Sequence, residues 1–364
     1  MLLLDHCACI GGAQISLHEL HDALVSRGVR VALCAPGQGS RFPVRIRGRR
    51  HARMRMAFNA LCMPAVFLRH GRPAVYCNSL RDRLICALIP QRYVITHIRD
   101  YPTVSSSWVL RWFPSRSYVV SSAFMADRVR RVVGDATVPV HHVPNIVHLD
   151  DGEWDAPRDG GEFRFLMVAN LVRWKGHELA LDAFARLRAT CGNVRLDVWG
   201  ADPLSENREY SSALRLRMAS EPGLTHVKGR RITPTDYCRY HCLVHPAMNE
   251  PFGRVIVEAM GCGVPVVAHA TGGPAEIVRA FKGGILFERE DSESLCHAMR
   301  SMILTRERHL AGLRASRGKL RATFSAHQSM EALLPVLGLP TRVSVPMLSA
   351  APRTPADRPL AVTA

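Results

Sequence analysis

The chain has 364 residues, of which 47% are hydrophobic and 22% charged, and a formal net charge of +17. This is the composition of a globular protein, long enough for two domains with separate cores. No stretch approaches the roughly 18 apolar residues that span a bilayer, and "MLLLDHCACIGG" lacks the basic start and apolar length of an export signal. The eleven Cys therefore read as reduced thiols of a cytoplasmic protein.

The charge is unevenly made and unevenly spread. Only four of the 48 basic residues are Lys: Lys175, Lys228, Lys282 and Lys319. Residues 1–150 hold 20 Arg, no Lys and eight acids, so about +12 of the total lies there. The densest run, Arg41 to Arg72, has nine Arg and no acid. It reads first as a solvated, Arg-biased surface. Its "MRMAFNALCMPAVFL" core, basic and apolar together, reads second as a patch for an anionic membrane surface. No nucleic-acid-binding module is recognisable, so no nucleic acid is expected as a partner.

In chain order, Leu2–Asp5 reads as a strand, "CACIGG" as a turn, Ala13–Arg27 as a helix ended by Gly28, and Val29–Ala35 as a strand. "PAVYCNS", "RYVITHI", "SYVVSS" and "VHHVPNIV" follow as short apolar strands. His148–Glu162 is acidic, bears Gly and Pro, and reads as a linker. A second series then alternates: strand "FRFLMVAN", helix Glu178–Thr190, strand "VRLDVWG", helix Ser211–Ser220, strands "THVKG" and "YHCLVHP", helix Val255–Met260, strand "VPVVAHA", helix Pro274–Ala280 and strand "GGILFE". Ser292–Thr305, Leu310–Phe324 and Ala326–Leu337 read as separate helices. The tail, residues 339–364, is Pro/Ala-rich and reads as disordered. The expected fold is α/β, two Rossmann-like doubly wound domains, with a first domain over 1–147 and a second over 163–325. Ligands of such sheets bind beyond the carboxyl ends of the strands, which places the site in the cleft between domains.

The unusual residues fall in those loops. Gly11-Gly12 precedes a helix; the pattern suits close approach of an anion to a helix N-terminus and equally suits a tight turn. In "VANLVRWKGHE", Lys175 is the only Lys in the first 227 residues. A compact point charge suits a phosphate, with Arg173 nearby to share it; a solvated Lys at a helix start is the plainer reading. Gly200 ends a strand, and "NEPFG" and "ATGGPAE" place glycines at helix starts. Together these could hold a nucleoside diphosphate. Glu250 and Glu258, eight positions apart, could each accept hydrogen bonds from the vicinal hydroxyls of a sugar, one a ribose and one a hexose. Each could also serve only as a helix-dipole partner. Cys238, His241, Cys242 and His245 suggest a metal cluster at first sight, but they run through a strand whose alternate residues face opposite ways, so no metal site is expected.

"NEPFGRVIVEAMGCGVPVVAHATGGPAEIV" resembles the E-x7-E region of retaining glycosyltransferases with the GT-B fold, family 4 ("group 1"). The "GGAQ" opening, "PNIV" at Asn145 and "VANLVRWKGHELALDAF" fall in that family's order over about residues 1–338. The resemblance implies a donor-binding second domain, an acceptor-binding first domain, and a final helix over 326–338 that returns to the first. It implies that Glu250 contacts the donor sugar, Glu258 the ribose, and Phe252 and Gly253 offer amides. Lys175 would neutralise the diphosphate, Gly12 would let its loop touch phosphate and acceptor, His97 would lie near the sugar, and Asn145 would match the "PNG" turn. One departure stands out: the family's Arg five residues before the Lys is Asn170 here. No D-x-D motif is present, so a metal-independent reaction with no cofactor is expected. The implied activity moves a hexose from a nucleotide sugar to a glycan or lipid-linked acceptor, in cell-surface polysaccharide synthesis, on the inner face of the membrane. An epimerase or phosphorylase of the same fold, and a polyanion-binding relative without catalysis, are the alternatives.

Overall fold

The computed structural model describes residues 1–5, 11–34, 74–87, 93–149, 161–202, 208–228 and 231–340. The Arg41–Arg72 run, most of the 148–162 linker and most of the 339–364 tail lie outside them.

The first domain contains β1 (Leu2–Leu4), α1 (Gly12–Ser26), β2 (Ala32–Cys34), β3 (Ala74–Cys77), α2 (Leu80–Cys86), β4 (Tyr93–His97), α3 (Val104–Trp112), β5 (Ser117–Val120), α4 (Ala123–Val133) and β6 (Val140–His142). Its strands form one parallel sheet in the order β2-β1-β3-β4-β5-β6. The second contains β7 (Phe163–Val168), a 3-10 turn (Arg173–Lys175), α5 (His177–Thr190), β8 (Val194–Trp199), α6 (Arg208–Ser220), β9 (Leu224–Val227), α7 (Pro234–Tyr237), β10 (Cys242–His245), α8 (Arg254–Gly261), β11 (Val266–His269), α9 (Gly272–Phe281), β12 (Gly284–Phe287), α10 (Ser292–Thr323) and α11 (Ala326–Leu333). Its sheet, also parallel, runs β12-β11-β10-β7-β8-β9.

Alternation along each strand feeds two cores, one on each face of its sheet. In the first domain Leu3, Tyr76, Ile95 and Val119 pack under α1, while Leu2, Leu4, Val75 and Val94 face the other way. In the second, Phe165, Leu196, Val244 and Val267 pack under α5 and α6, and Leu166, Leu243, Val266 and Ala268 pack under α8 and α9. No helix among the described residues is long and apolar enough to cross a membrane.

Several element boundaries differ from the sequence reading. Helix α4 was not expected, although its signals are local: Ser122 caps it by accepting a hydrogen bond from the Met125 N–H, and Gly134 ends it in the left-handed region. The two expected helices 292–305 and 310–324 are one helix, α10. The residues between them, "RERH", belong to that helix: Arg306 occupies a core-facing position, in step with Leu295, Met299, Met302, Leu310 and Leu313, and its Nε donates to the His241 carbonyl at 3.4 Å. Gly312 removes the last obstacle, since a Cβ there would lie 2.7 Å from the Lys282 carbonyl oxygen.

The chain crosses between domains twice at one place. Ile146 packs in the first domain's core and Val147 in the second's. On the return, Phe324 is in the second core, and Met330, Leu333, Leu334 and Leu337 of the final segment lie in the first. The Val147 N–H donates to the Phe324 carbonyl at 2.9 Å, which joins the two crossings. Ser329 donates to the Pro144 carbonyl at 2.8 Å, and Tyr93 donates to the Leu337 carbonyl at 3.0 Å. Helix α11 thus supplies a wall of the first domain. Leu333→Ala, at a position 1% exposed, is expected to cost about 2–5 kcal/mol in urea denaturation.

Candidate active site

The site grows from the loop after β10. Asn249 and Gly253 both take positive φ, 52° and 89°, so the "NEPFG" segment turns sharply into α8. Gly253 is the N-cap and offers no side chain to the first turn, which leaves that end of the helix open to an external acceptor. The loop is braced from behind by Thr271–Gly273. The Gly273 N–H donates to the Glu250 carbonyl at 2.9 Å, and the Asn249 N–H donates to Thr271 Oγ1 at 3.2 Å. A Cβ on Gly272, whose φ is +79°, would lie 2.5 Å from the Glu250 carbonyl oxygen, and one on Gly273 would lie 2.6 Å from that of Phe252. The glycines of "ATGGPAE" therefore admit the neighbouring loop. Gly200 is similar: its Cβ would overlap the Ala169 carbonyl oxygen, so packing of the β7 and β8 ends alone accounts for glycine there. Phe252 is buried in the second core, its ring 5.6 Å from that of Phe324.

The two expected centres of charge meet. Lys175, held by the 3-10 turn after β7, donates through Nζ to Glu250 Oε2 at 2.5 Å. Its ammonium also lies 3.8 Å from the centroid of the Trp174 ring. His245, at the end of β10, brings Nε2 to 3.7 Å from the same Glu250 oxygen. His245 was read with the discounted Cys/His group; the strand instead delivers it to the site. Burial works to raise the Glu250 carboxyl, but the Lys175 charge and His245 outweigh it and hold the group at about 2.

Glu258 lies one helical turn beyond Arg254 and is also fully engaged. Its Oε1 accepts from Arg254 Nε at 2.9 Å and from Arg231 at 3.4 Å, and its Oε2 accepts from the Tyr237 hydroxyl at 3.0 Å. Burial, and then Glu258 itself, push the Tyr237 phenol well above its usual range, so it remains a donor. Arg173 is not brought to this group: its guanidinium stacks over Tyr210 at 4.6 Å. Asn170 is exposed and its carbonyl accepts from the Val172 N–H.

The first domain contributes the opposite wall. His97, 3% exposed, bonds through Nδ1 to the Tyr76 hydroxyl at 2.7 Å, and its Nε2 has no hydrogen-bond partner among the described residues. Burial, with Arg99 adding, holds the imidazole well below 6.5, so it is neutral at pH 7. Asn145 accepts from Arg99 at 2.8 Å, Arg99 also donates to Asn78, and Asn78 and Gln14 both donate to Asp5. Gly12 opens α1, with its Cβ position 4.0 Å from Arg254 Cδ.

Three contacts close the cleft at its edge, and the sequence reading passed over all of them. Arg254 pairs with Glu19 at 2.6 Å. Ser122 donates to the Pro251 carbonyl at 2.7 Å. The Glu276 carboxylate accepts from the Ala123 N–H at 3.0 Å and the Phe124 N–H at 2.5 Å, capping α4 from the other domain. Arg254 carried a usable signal, since a cation in the first turn of a helix opposes the dipole.

Residues 152–315 match the family model described as glycosyl transferases group 1. The chain is 39% identical over 236 residues to D-inositol 3-phosphate glycosyltransferase 1 of Catenulispora acidiphila, covering 60% of this chain and 56% of that one. It is 37% identical over 60 residues to sucrose-phosphate synthase 4 of Arabidopsis thaliana, covering 16% of this chain and 6% of that one. The matches thus span little more than half of the first relative and a small fraction of the second. Among solved structures, HepE of Anabaena in complex with UDP and glucose superposes with a TM-score of 0.71 at 18% identity, covering 93% of this chain and 98% of that one. The fold is GT-B: two parallel-sheet, Rossmann-like domains facing across a cleft.

The Glu250 carboxyl, depressed from 4.5 to about 2, stabilises the fold fully above pH 4.5, and this contribution is lost as pH falls toward 2. Glu250→Gln is therefore expected to be less stable than wild type at pH 7, with the difference shrinking between pH 4.5 and 2. Denaturant midpoints measured across that range check it.

Proposed function

We propose that the protein is a retaining, metal-independent glycosyltransferase of family 4, which moves a hexose from a nucleotide-diphosphate sugar to an acceptor hydroxyl. The observation that carries this reading is the Lys175–Glu250–His245 group beside the open N-terminus of α8, in a segment that matches the group 1 glycosyltransferases. HepE, solved with UDP and with UDP-glucose, supports a nucleoside diphosphate sugar as donor.

In this reading the diphosphate lies against the α8 N-terminus and draws Lys175 to itself. Negative charge grows on the leaving phosphate as the anomeric bond breaks, and a fixed cation and helix amides have their greatest effect on such charge. Glu250 is left beside His245 and holds the hexose, with neutral His97 on the opposite wall. Glu258 holds the ribose, and Phe252 and Gly253 present backbone amides. The acceptor enters over the first domain, past Gly12 and Asn145, and attacks from the face the leaving group vacates, its hydroxyl proton passing to the departing phosphate oxygen. A glycan or lipid-linked acceptor, cell-surface polysaccharide synthesis and a cytoplasmic position on an anionic membrane complete the proposal. The +12 excess of residues 1–150 motivates the last part.

A thermal-shift panel of UDP, GDP and ADP sugars tests the donor. The right one, at a hundred times its dissociation constant, is expected to add about 2.7 kcal/mol. With that donor, Lys175→Ala is expected to lower transfer about 10²–10³-fold while circular dichroism stays unchanged. Wild-type turnover in Lys175→Ala removes the residue from the mechanism. Retention is read from the anomeric proton of the product, and metal independence from turnover in a chelator.

A further inference from the structure

Arg254 is the first residue of α8, and its side chain is only 11% exposed. A cation there opposes the helix dipole by about 0.3–1 kcal/mol, and a buried guanidinium needs its donors satisfied. Its partners come from both domains. Nη1 and Nη2 grip the two oxygens of Glu19 at 2.6 Å each. Nη1 also lies 3.3 Å from Ser16 Oγ and 3.2 Å from the Ile146 carbonyl oxygen. Nε turns the other way and donates to Glu258 at 2.9 Å. A planar fork can serve two carboxylates at once in this manner; an ammonium cannot hold both in fixed directions.

The position of these partners matters. Ser16 and Glu19 lie on α1, the helix that Gly12 opens, and Ile146 is the last residue of the first core before the crossing. Glu258 is the carboxylate assigned above to the ribose. We propose that Arg254 is a positioning residue that ties Glu258 to the first domain, so that donor affinity depends on the Arg254–Glu19 pair across the cleft. Opening the cleft would separate Arg254 from Glu19, Ser16 and Ile146 together, freeing the guanidinium that holds Glu258 Oε1 and leaving Tyr237 and Arg231 as that carboxylate's remaining fixed partners. The coupling to affinity rests on the donor reading; the closure of the cleft by this pair does not.

Glu19→Gln is the informative variant, because Glu19 meets Glu258 only through Arg254. Small-angle scattering of the full chain without ligand is expected to show a larger radius of gyration for Glu19→Gln and for Arg254→Gln than for wild type. Calorimetric titration with UDP-glucose is expected to show a dissociation constant raised about five- to tenfold in Glu19→Gln, as a shift away from the competent arrangement dictates. The double variant is expected to bind no more weakly than Arg254→Gln alone. An unchanged dissociation constant in Glu19→Gln overturns the coupling, whether or not its melting temperature falls, and so do independent, additive losses in the double variant. If UDP-glucose fails to bind even wild type, that donor is wrong, and scattering alone decides: an unchanged radius in both single variants overturns the role of Arg254, and an enlarged one upholds it.

Discussion

A carboxylate taken out of water must be met by charge or by N–H groups, and this constraint shapes the cleft. The chain has 31 acids against 48 Lys and Arg. Four of those scarce acids stand where the domains face each other. Glu250 is met by Lys175, Glu258 by Arg254 and Tyr237, Glu19 by Arg254, and Glu276 by the first amides of α4. In so basic a chain an unpaired carboxylate would readily find some arginine. Two of these matches, Glu19 with Arg254 and Glu276 with the α4 amides, join one domain to the other, while those of Glu250 and Glu258 lie within the second domain.

The same frame explains which parts of the sequence were legible. Strand period, the two alternating series and the loops after strands follow from local patterns, and both sheets lie where those patterns put them. "NEPFG" and "ATGGPAE" stood out by their glycines, yet the reason for the glycines was hidden. Gly272 and Gly273 face the backbone of the other loop, a contact between segments some twenty residues apart that no local rule reports. Arg306 shows the opposite failure: a charged residue at a core position made one helix look like two, because polarity is a poor guide where a backbone carbonyl is the partner.

At the site, residue type was readable and pairing was not. Lys175 was conspicuous as a rare Lys, and Glu250 and Glu258 by their spacing. That Lys175 would lie on Glu250, that His245 would join them, and that Arg254 would hold Glu258 from behind all depend on the meeting of β7, β10 and α8. Glu19 lies 235 residues before Arg254. Nothing in either segment alone announces the other.

The Lys175–Glu250 pair carries a last implication. Desolvating two ions costs roughly what their attraction returns, so an apolar pair of similar volume would stabilise the fold as well. The pair therefore earns its place through what each ion can do when a third charge arrives. In the donor reading proposed above, a diphosphate would compete with Glu250 for Lys175, and the Glu250 carboxyl, held down chiefly by that cation against its burial, would be left with His245. In that reading Lys175 is the cation placed to answer the competition, since Arg173 is held over Tyr210 instead. In that reading the resting ion pair holds the half-buried Lys175 ammonium in place until the leaving group takes it up.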